Sequence, residues 1–359
     1  MKTIQFENAI EFLDYFKPYN DHWSADDHIF RGHEDSEWQL KSTLFRTPQK
    51  DSFFEKSLRN FDSSFPYLFE SKSYISTFGN LSNHLGVIAL RMYNFERYLL
   101  HLFVKESNRH GFEVRGSEEL LNIDRIFSSS PDDAFFHEHH IPTASASEDK
   151  VKSSERLFNF KYPPPPLQLT GLVQHHGLPT RLLDFTENPY AALFFASRKP
   201  EKKCKCEEKA NGKKEEAEIC VYSVSLRNYR KYVHISSTPQ LVAKPEKLSG
   251  LHGVMRMPNS HNNYLSKQGG VFLYPLYPYD FYAKFGSYPT LDDHASIFNF
   301  DSNLDRYSVT KHTLPGHQKP ALREALLKMR YTKAYFMPTL DNVVEDIKSM
   351  LEGKSSFLN

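Results

Sequence analysis

The densest run of chemistry-bearing residues in the chain is Gln174-His175-His176-Gly177-Leu178-Pro179-Thr180-Arg181-Leu182-Leu183-Asp184-Phe185-Thr186. An imidazole can act as acid, base or stacking group, so His175 and His176 are candidate ligand-facing groups. Adjacent side chains on an extended backbone point to opposite sides, so one of the two is expected to be structural. Arg181 and Asp184 either line the same site or neutralise each other as an internal ion pair. Far upstream, Arg31-Gly32 ends a short apolar segment, and far downstream Gln268 precedes another. His137-Glu138-His139-His140 has metal-ligand residue types but no partner cluster at a recognised spacing, and reads as loop polarity. Cys204-Lys205-Cys206 lacks the second pair that a zinc site uses, so no metal is expected.

The elements that must position these groups follow from periodicity. Residues 4–19 read as a short strand and then an amphipathic helix, and 27–32 as a strand that delivers Arg31. Residues 53–111 read as helical, with Tyr93, Phe95, Leu99, Leu100, Leu102 and Phe103 as a recurring stripe. Gly177 and Pro179 punctuate the chain, 181–186 is strand-like, and Asn188-Pro189 opens an apolar helix that runs to Ala196, because proline suits a first helical turn. A strand thus delivers Thr186 to the mouth of a helix. Residues 142–166 are a Ser/Pro-rich loop ending in the run Pro163–Pro166, which favours a polyproline conformation. Residues 199–218 form a Lys/Glu-rich insertion of mixed sign, read as a solvated excursion. Tyr274, Tyr277, Tyr279, Phe281 and Tyr282 are either core or rings able to stack on a nicotinamide or adenine. A helix over 341–351, with Val343, Val344, Ile347, Met350 and Leu351 on one side, precedes a tail at 352–359.

Two separated blocks carry a family resemblance. Ile29-Phe30-Arg31-Gly32-His33, Trp38-Gln39-Leu40 and Ser42-Thr43-Leu44-Phe45-Arg46 form the first, and the Gln-His-His-Gly-Leu-Pro-Thr-Arg-Leu-Leu-Asp-Phe-Thr run at 174–186 forms the second. Together they resemble the FRG domain, named for its Phe-Arg-Gly motif, and the likeness extends through Gln268-Gly269-Gly270-Val271-Phe272 and Phe336-Met337-Pro338-Thr339-Leu340. On this reading 1–351 is a single elaborated FRG domain with its core at about 25–351. The chain also resembles ADP-ribosyltransferases of the arginine, serine, glutamate type. Arg31-Gly32, Thr186 ahead of the apolar helix, and Gln268 ahead of Val271-Phe272-Leu273 occur in that family's order.

That second resemblance implies an α+β fold with a split, largely antiparallel β core, an N-terminal helical layer and the charged insertion. It implies NAD as substrate, with Arg31, Thr186 and Gln268 as catalytic positions and Arg31, Gly32, His175, His176, Arg181 and Thr186 around the dinucleotide. Arg31 would pair with the pyrophosphate, Thr186 would orient the nicotinamide ribose, and Gln268 would grip the ribose hydroxyls. The acceptor would be an unidentified macromolecule, nucleic acid entering only as a modified substrate, with phage defence or toxicity as the setting by analogy. Gln268 stands where those transferases carry glutamate, and a neutral amide cannot stabilise an oxocarbenium-like transition state. Either Asp184 or Glu187 supplies the charge, or the chain is a non-catalytic FRG module that binds a nucleotide or a partner protein.

Composition bounds the remaining classes. Across 359 residues, 45 Lys plus Arg balance 44 Asp plus Glu, so overall charge does not draw the chain to nucleic acid. Hydrophobic residues are 39% of the sequence, with 29 Phe and 20 Tyr, which is enough to build a large core and argues against wholesale disorder. No apolar run approaches the roughly 18 residues of a membrane span, and the polar first residues do not read as a secretory leader. With only three cysteines, no disulfide framework is expected, and the reading is a cytoplasmic protein. Walker, His-Glu-x-x-His and Gly-x-Ser-x-Gly motifs do not occur.

Overall fold

A computed structural model describes residues 1–20, 22–23, 28–47, 49–64, 85–114, 166–198, 217–227, 252–256, 268–292 and 309–351. The run 137–140, the 142–166 loop apart from Pro166, the cysteines Cys204 and Cys206, the 199–218 insertion apart from 217–218, and the tail 352–359 lie outside the described residues.

Seven strands form one sheet: β1 (Lys2–Gln5), β2 (His28–His33), β3 (Leu183–Thr186), β4 (Ile219–Ser225), β5 (His252–Arg256), β6 (Gly270–Pro275) and β7 (Val309–Leu314). Their spatial order is β1-β7-β4-β2-β3-β6-β5, and every neighbouring pair is antiparallel except β1 with β7. Helices α1 (Ala9–Tyr15), α2 (Phe53–Ser64), α3 (Leu85–Arg109), α4 (Leu167–His175), α5 (Pro189–Ser197), α6 (Pro278–Phe285), α7 (Lys319–Lys328), α8 (Lys333–Phe336) and α9 (Leu340–Leu351) accompany it. The mixture is that of an α+β protein. The helical stretch read over 53–111 comprises α2 and α3, with 65–84 outside the described residues, and the strand read at 181–186 begins at Leu183 because Arg181 turns away into the helical layer.

The register carries the main functional consequence. β2 pairs with β4 through six residues, from His28↔Ser225 to His33↔Cys220, and β3 pairs with β6 through four, yet β2 meets β3 only at Phe30↔Thr186. Beyond that pair the two central strands part. The sheet is therefore split between β2 and β3.

Each face has its own reason to be covered. The helix α5 is apolar nearly all round, and buries Ala191, Ala192, Leu193 and Ala196 against Phe30 and Val221 on one side and Leu322 of α7 on the other. Asn188 caps it by accepting from the Tyr190 N–H at 2.9 Å, with Pro189 in the first turn. A Cβ at Gly32 would lie 1.9 Å from the Ala192 carbonyl oxygen, so α5 reaches β2 this closely only because position 32 has no side chain. Across the sheet, Ile29, Phe185, Tyr222, Val224 and Leu273 pack with Leu40 and Leu291. A separate helical core joins Phe61 of α2, Phe95 and Leu99 of α3, Leu169 of α4 and Tyr279 of α6. The terminal helix α9 carries Leu340, Val343, Val344, Ile347 and Leu351 outward. No helix among the described residues is long and apolar enough to cross a membrane.

Candidate functional site

The 174–186 block is first a piece of architecture. Helix α4 ends at His175, and Gly177, at φ +88°, reverses the chain in a conformation that only glycine adopts cheaply. The Gln174 side chain then ties the turn together. Its Nε2 donates to Asp184 Oδ1 at 2.6 Å and its Oε1 accepts from the Thr180 hydroxyl, which in turn accepts from the Leu182 N–H at 3.2 Å.

Arg181, expected at the dinucleotide, turns into the helical layer and is not among the residues lining the cleft described below. It is fully buried, donates from Nε to Glu96 Oε1 of α3 at 2.8 Å and from Nη2 to Oε2, and lies over the Tyr279 ring at 5.3 Å. The Tyr279 hydroxyl completes the cluster by donating to Glu96 at 2.6 Å. Burial alone would depress the Arg181 pKa, but the Glu96 charge and hydrogen bonds lift it above its usual value. Nor does Arg181 pair with Asp184. A buried guanidinium needs a buried carboxylate, and the Asp184 side chain is 64% exposed.

Asp184 faces the split in the sheet, where the parting strands open a cleft of about 320 Å³. Arg31 dominates its floor. Its Nε donates to His33 Nε2 at 2.9 Å and its Nη1 to the Asp184 carbonyl oxygen at 2.5 Å, with Asp184 Oδ2 at 3.8 Å. Nη2 has no partner among the described residues, so the guanidinium is held on two sides and offers one edge to the cleft. Since His33 Nε2 accepts, the single proton of the neutral ring must sit on Nδ1. Burial, then the charges of Arg31 and Arg46, hold the His33 pKa down to about 3. Burial also lowers the Arg31 pKa, with Asp184 pulling the other way, and lowers that of Arg46, which lines the same cleft. A largely buried guanidinium, Arg31, and a more exposed one, Arg46, lining one cavity favour an anion.

Thr186 and Gln268 line the same cleft. The Thr186 hydroxyl donates to the Gln268 carbonyl oxygen and accepts from the Asn188 N–H at 2.9 Å, which fixes the start of α5 to the start of β6. The Gln268 amide is also engaged, donating from Nε2 to the Phe336 carbonyl oxygen at 2.9 Å. Arg31 is anchored at Asp184 and Gln268 at Thr186, two residues of strand apart, on the order of 7 Å. The structure thus brings Arg31, Gly32, Thr186 and Gln268 to one cleft.

It does not bring the others there. His175 and His176 are exposed at the end of α4, with the His176 ring 5.9 Å from that of Phe103, because Gly177 turns the chain only after them. Glu187 pairs with Arg256 at 2.8 Å and is not on the cleft wall. Nor does the 274–282 aromatic stretch line it: Tyr279 is core, and Tyr282 packs against Tyr288 at 4.4 Å. Conversely, the cleft includes His33, Glu34, Trp38, Arg46 and Arg198, which carried no assigned role. All but Glu34 and Arg198 lie in the block that carries the Phe-Arg-Gly resemblance, and the two-residue spacing of Arg31 and His33 on a strand already places them on one face. Among the described residues no three His, Cys, Asp or Glu side chains gather as a metal site would require.

Against known proteins, the sequence model of the family described as FRG domain matches residues 122–205. The described part of that stretch, 166–198, holds α4, β3 and α5 with the 174–186 block, while Arg31-Gly32 lies outside it. No curated protein and no solved structure matches the chain.

Proposed function

We propose that the cleft between β2 and β3 binds NAD and that the protein is ADP-ribosyltransferase-like, acting on a macromolecule still to be identified. The observation that supports this is the meeting of Arg31 from β2, Thr186 from β3 and Gln268 from the turn just ahead of β6 on one cavity. At about 320 Å³ it falls at the small end of ligand pockets, about 300–1,000 Å³, and suits half of a dinucleotide with the rest outside. Arg31 Nη2 and Arg46 fit the pyrophosphate. Thr186, its hydroxyl already engaged, acts by holding Gln268 in place rather than by gripping ribose.

Transfer would break the nicotinamide–ribose bond through a cationic sugar, which a nearby carboxylate stabilises. A glutamate at position 268 would set its oxygens against the Phe336 carbonyl, where the present amide donates. Asp184 and Glu34 are the carboxylates on the cleft wall, and Asp184, exposed and beside Arg31, is the better placed. The engaged amide of Gln268 favours a second reading, a module that binds the nucleotide without cleaving it.

Calorimetry with NAD, and nicotinamide release followed in the same samples, separates these outcomes. Binding by the native protein that falls at least ten-fold in Arg31→Ala, with release that stops in Asp184→Asn, is the result expected of an NAD-consuming enzyme. Binding without release selects the non-catalytic module. A folded native protein that does not bind NAD sinks both forms of the proposal.

A further inference from the structure

The chain has two tryptophans, and they stand in opposite situations. Trp23 sits among rings, 5.5 Å from Phe16 and 5.1 Å from Phe30, with its Nε1 donating to the Tyr15 carbonyl oxygen at 2.7 Å. Trp38 lines the cleft, yet is 51% exposed and touches one ring among the described residues, that of His33 at 6.0 Å. An indole left half in water forgoes the burial that normally holds it in place. The same cavity presents the free Nη2 of Arg31 and the guanidinium of Arg46, whose Nε alone is engaged, on the Lys41 carbonyl oxygen at 3.0 Å. A flat apolar surface beside two cations matches a molecule that joins a planar ring to phosphate.

We infer that Trp38 is the stacking platform of this cleft, on which the ring of a nucleotide lies while its phosphates meet Arg31 and Arg46. The inference rests on the reading of the cleft as a nucleotide site, but not on NAD being the nucleotide or on any transfer. It gives Trp38 the part that the 274–282 aromatics do not play.

The test is calorimetry of native protein, Trp38→Ala and Trp38→Phe with ADP, nicotinamide mononucleotide, NAD and inorganic pyrophosphate. Trp38 is exposed, so both variants are expected to fold, and circular dichroism checks that they do. Loss of stacking should weaken ADP or nicotinamide mononucleotide roughly ten- to a hundred-fold in the alanine variant. Pyrophosphate should be unaffected, and phenylalanine should restore most of the affinity. Which mononucleotide suffers identifies the ring as adenine or nicotinamide. Sensitivity to Trp38 with ADP and no binding of NAD would keep the platform and discard the NAD proposal. NAD bound equally by native protein and Trp38→Ala would do the reverse. Equal losses for ADP and pyrophosphate, or a native protein that binds none of the four, would overturn the inference.

Discussion

Buried charge and buried histidine set the energetics at the scale of single residues. Removing either partner of the Arg181–Glu96 pair strands the other in a dry interior, which costs about 3–5 kcal/mol. Arg181→Ala should therefore lower the urea midpoint strongly, while a double Arg181→Met, Glu96→Leu variant should recover part of the loss. His33 and His312 are both buried, with pKa values held down to about 3, by burial first and by neighbouring positive groups second. A folded value below the unfolded one of about 6.5 means that the unfolded chain takes up the proton first. The stabilisation is present above pH 6.5 and drains away as pH falls towards 3. At pH 5 each histidine should have withdrawn about 2 kcal/mol, and His312→Phe, away from the cleft, should flatten the pH dependence of stability measured by urea titration.

At the scale of elements, the contact between β2 and α5 separates two residues that the sequence joins. Gly32→Ala would force a methyl group onto the Ala192 carbonyl and should cost about 3 kcal/mol or more, visible as a large fall in melting temperature. Arg31→Lys should fold normally, since a lysine can still reach the Asp184 carbonyl, but lose the second, free edge and with it nucleotide affinity. Local signals were legible here: Asn188-Pro189 announced α5, and Gly177 marked the turn. The partner of Arg181 was not, because Glu96 stands on a helix 85 residues away and nothing in the local spacing selects it. The imidazoles of His175 and His176 suggested a ligand, yet the glycine that follows them carries the chain away from them towards the cleft.

For the whole molecule, the position of the split decides where a ligand can sit. The α+β class and the order of Arg31, Thr186 and Gln268 could be read from the chain. The seam between β2 and β3 could not, because strand order is settled by pairings across the entire length. At the same seam the backbone ladder between β2 and β3 is reduced to Phe30 and Thr186, with the Arg31 side chain on the Asp184 carbonyl as a further tie. A bound nucleotide touching both Arg31 of β2 and the β3 side of the cleft would brace the two strands, so NAD or ADP should raise the melting temperature in native protein and much less in Arg31→Ala.

One pairing has a consequence in time. β1 lies at the sheet edge, and its one neighbour in the sheet, β7, meets it through Lys2↔Thr310 to Gln5↔Thr313. During translation at about 5–20 residues per second, some 15–60 s separate the two strands as they emerge. For that interval the first strand waits for its ladder, and this edge of the sheet can close only after β7 has left the ribosome.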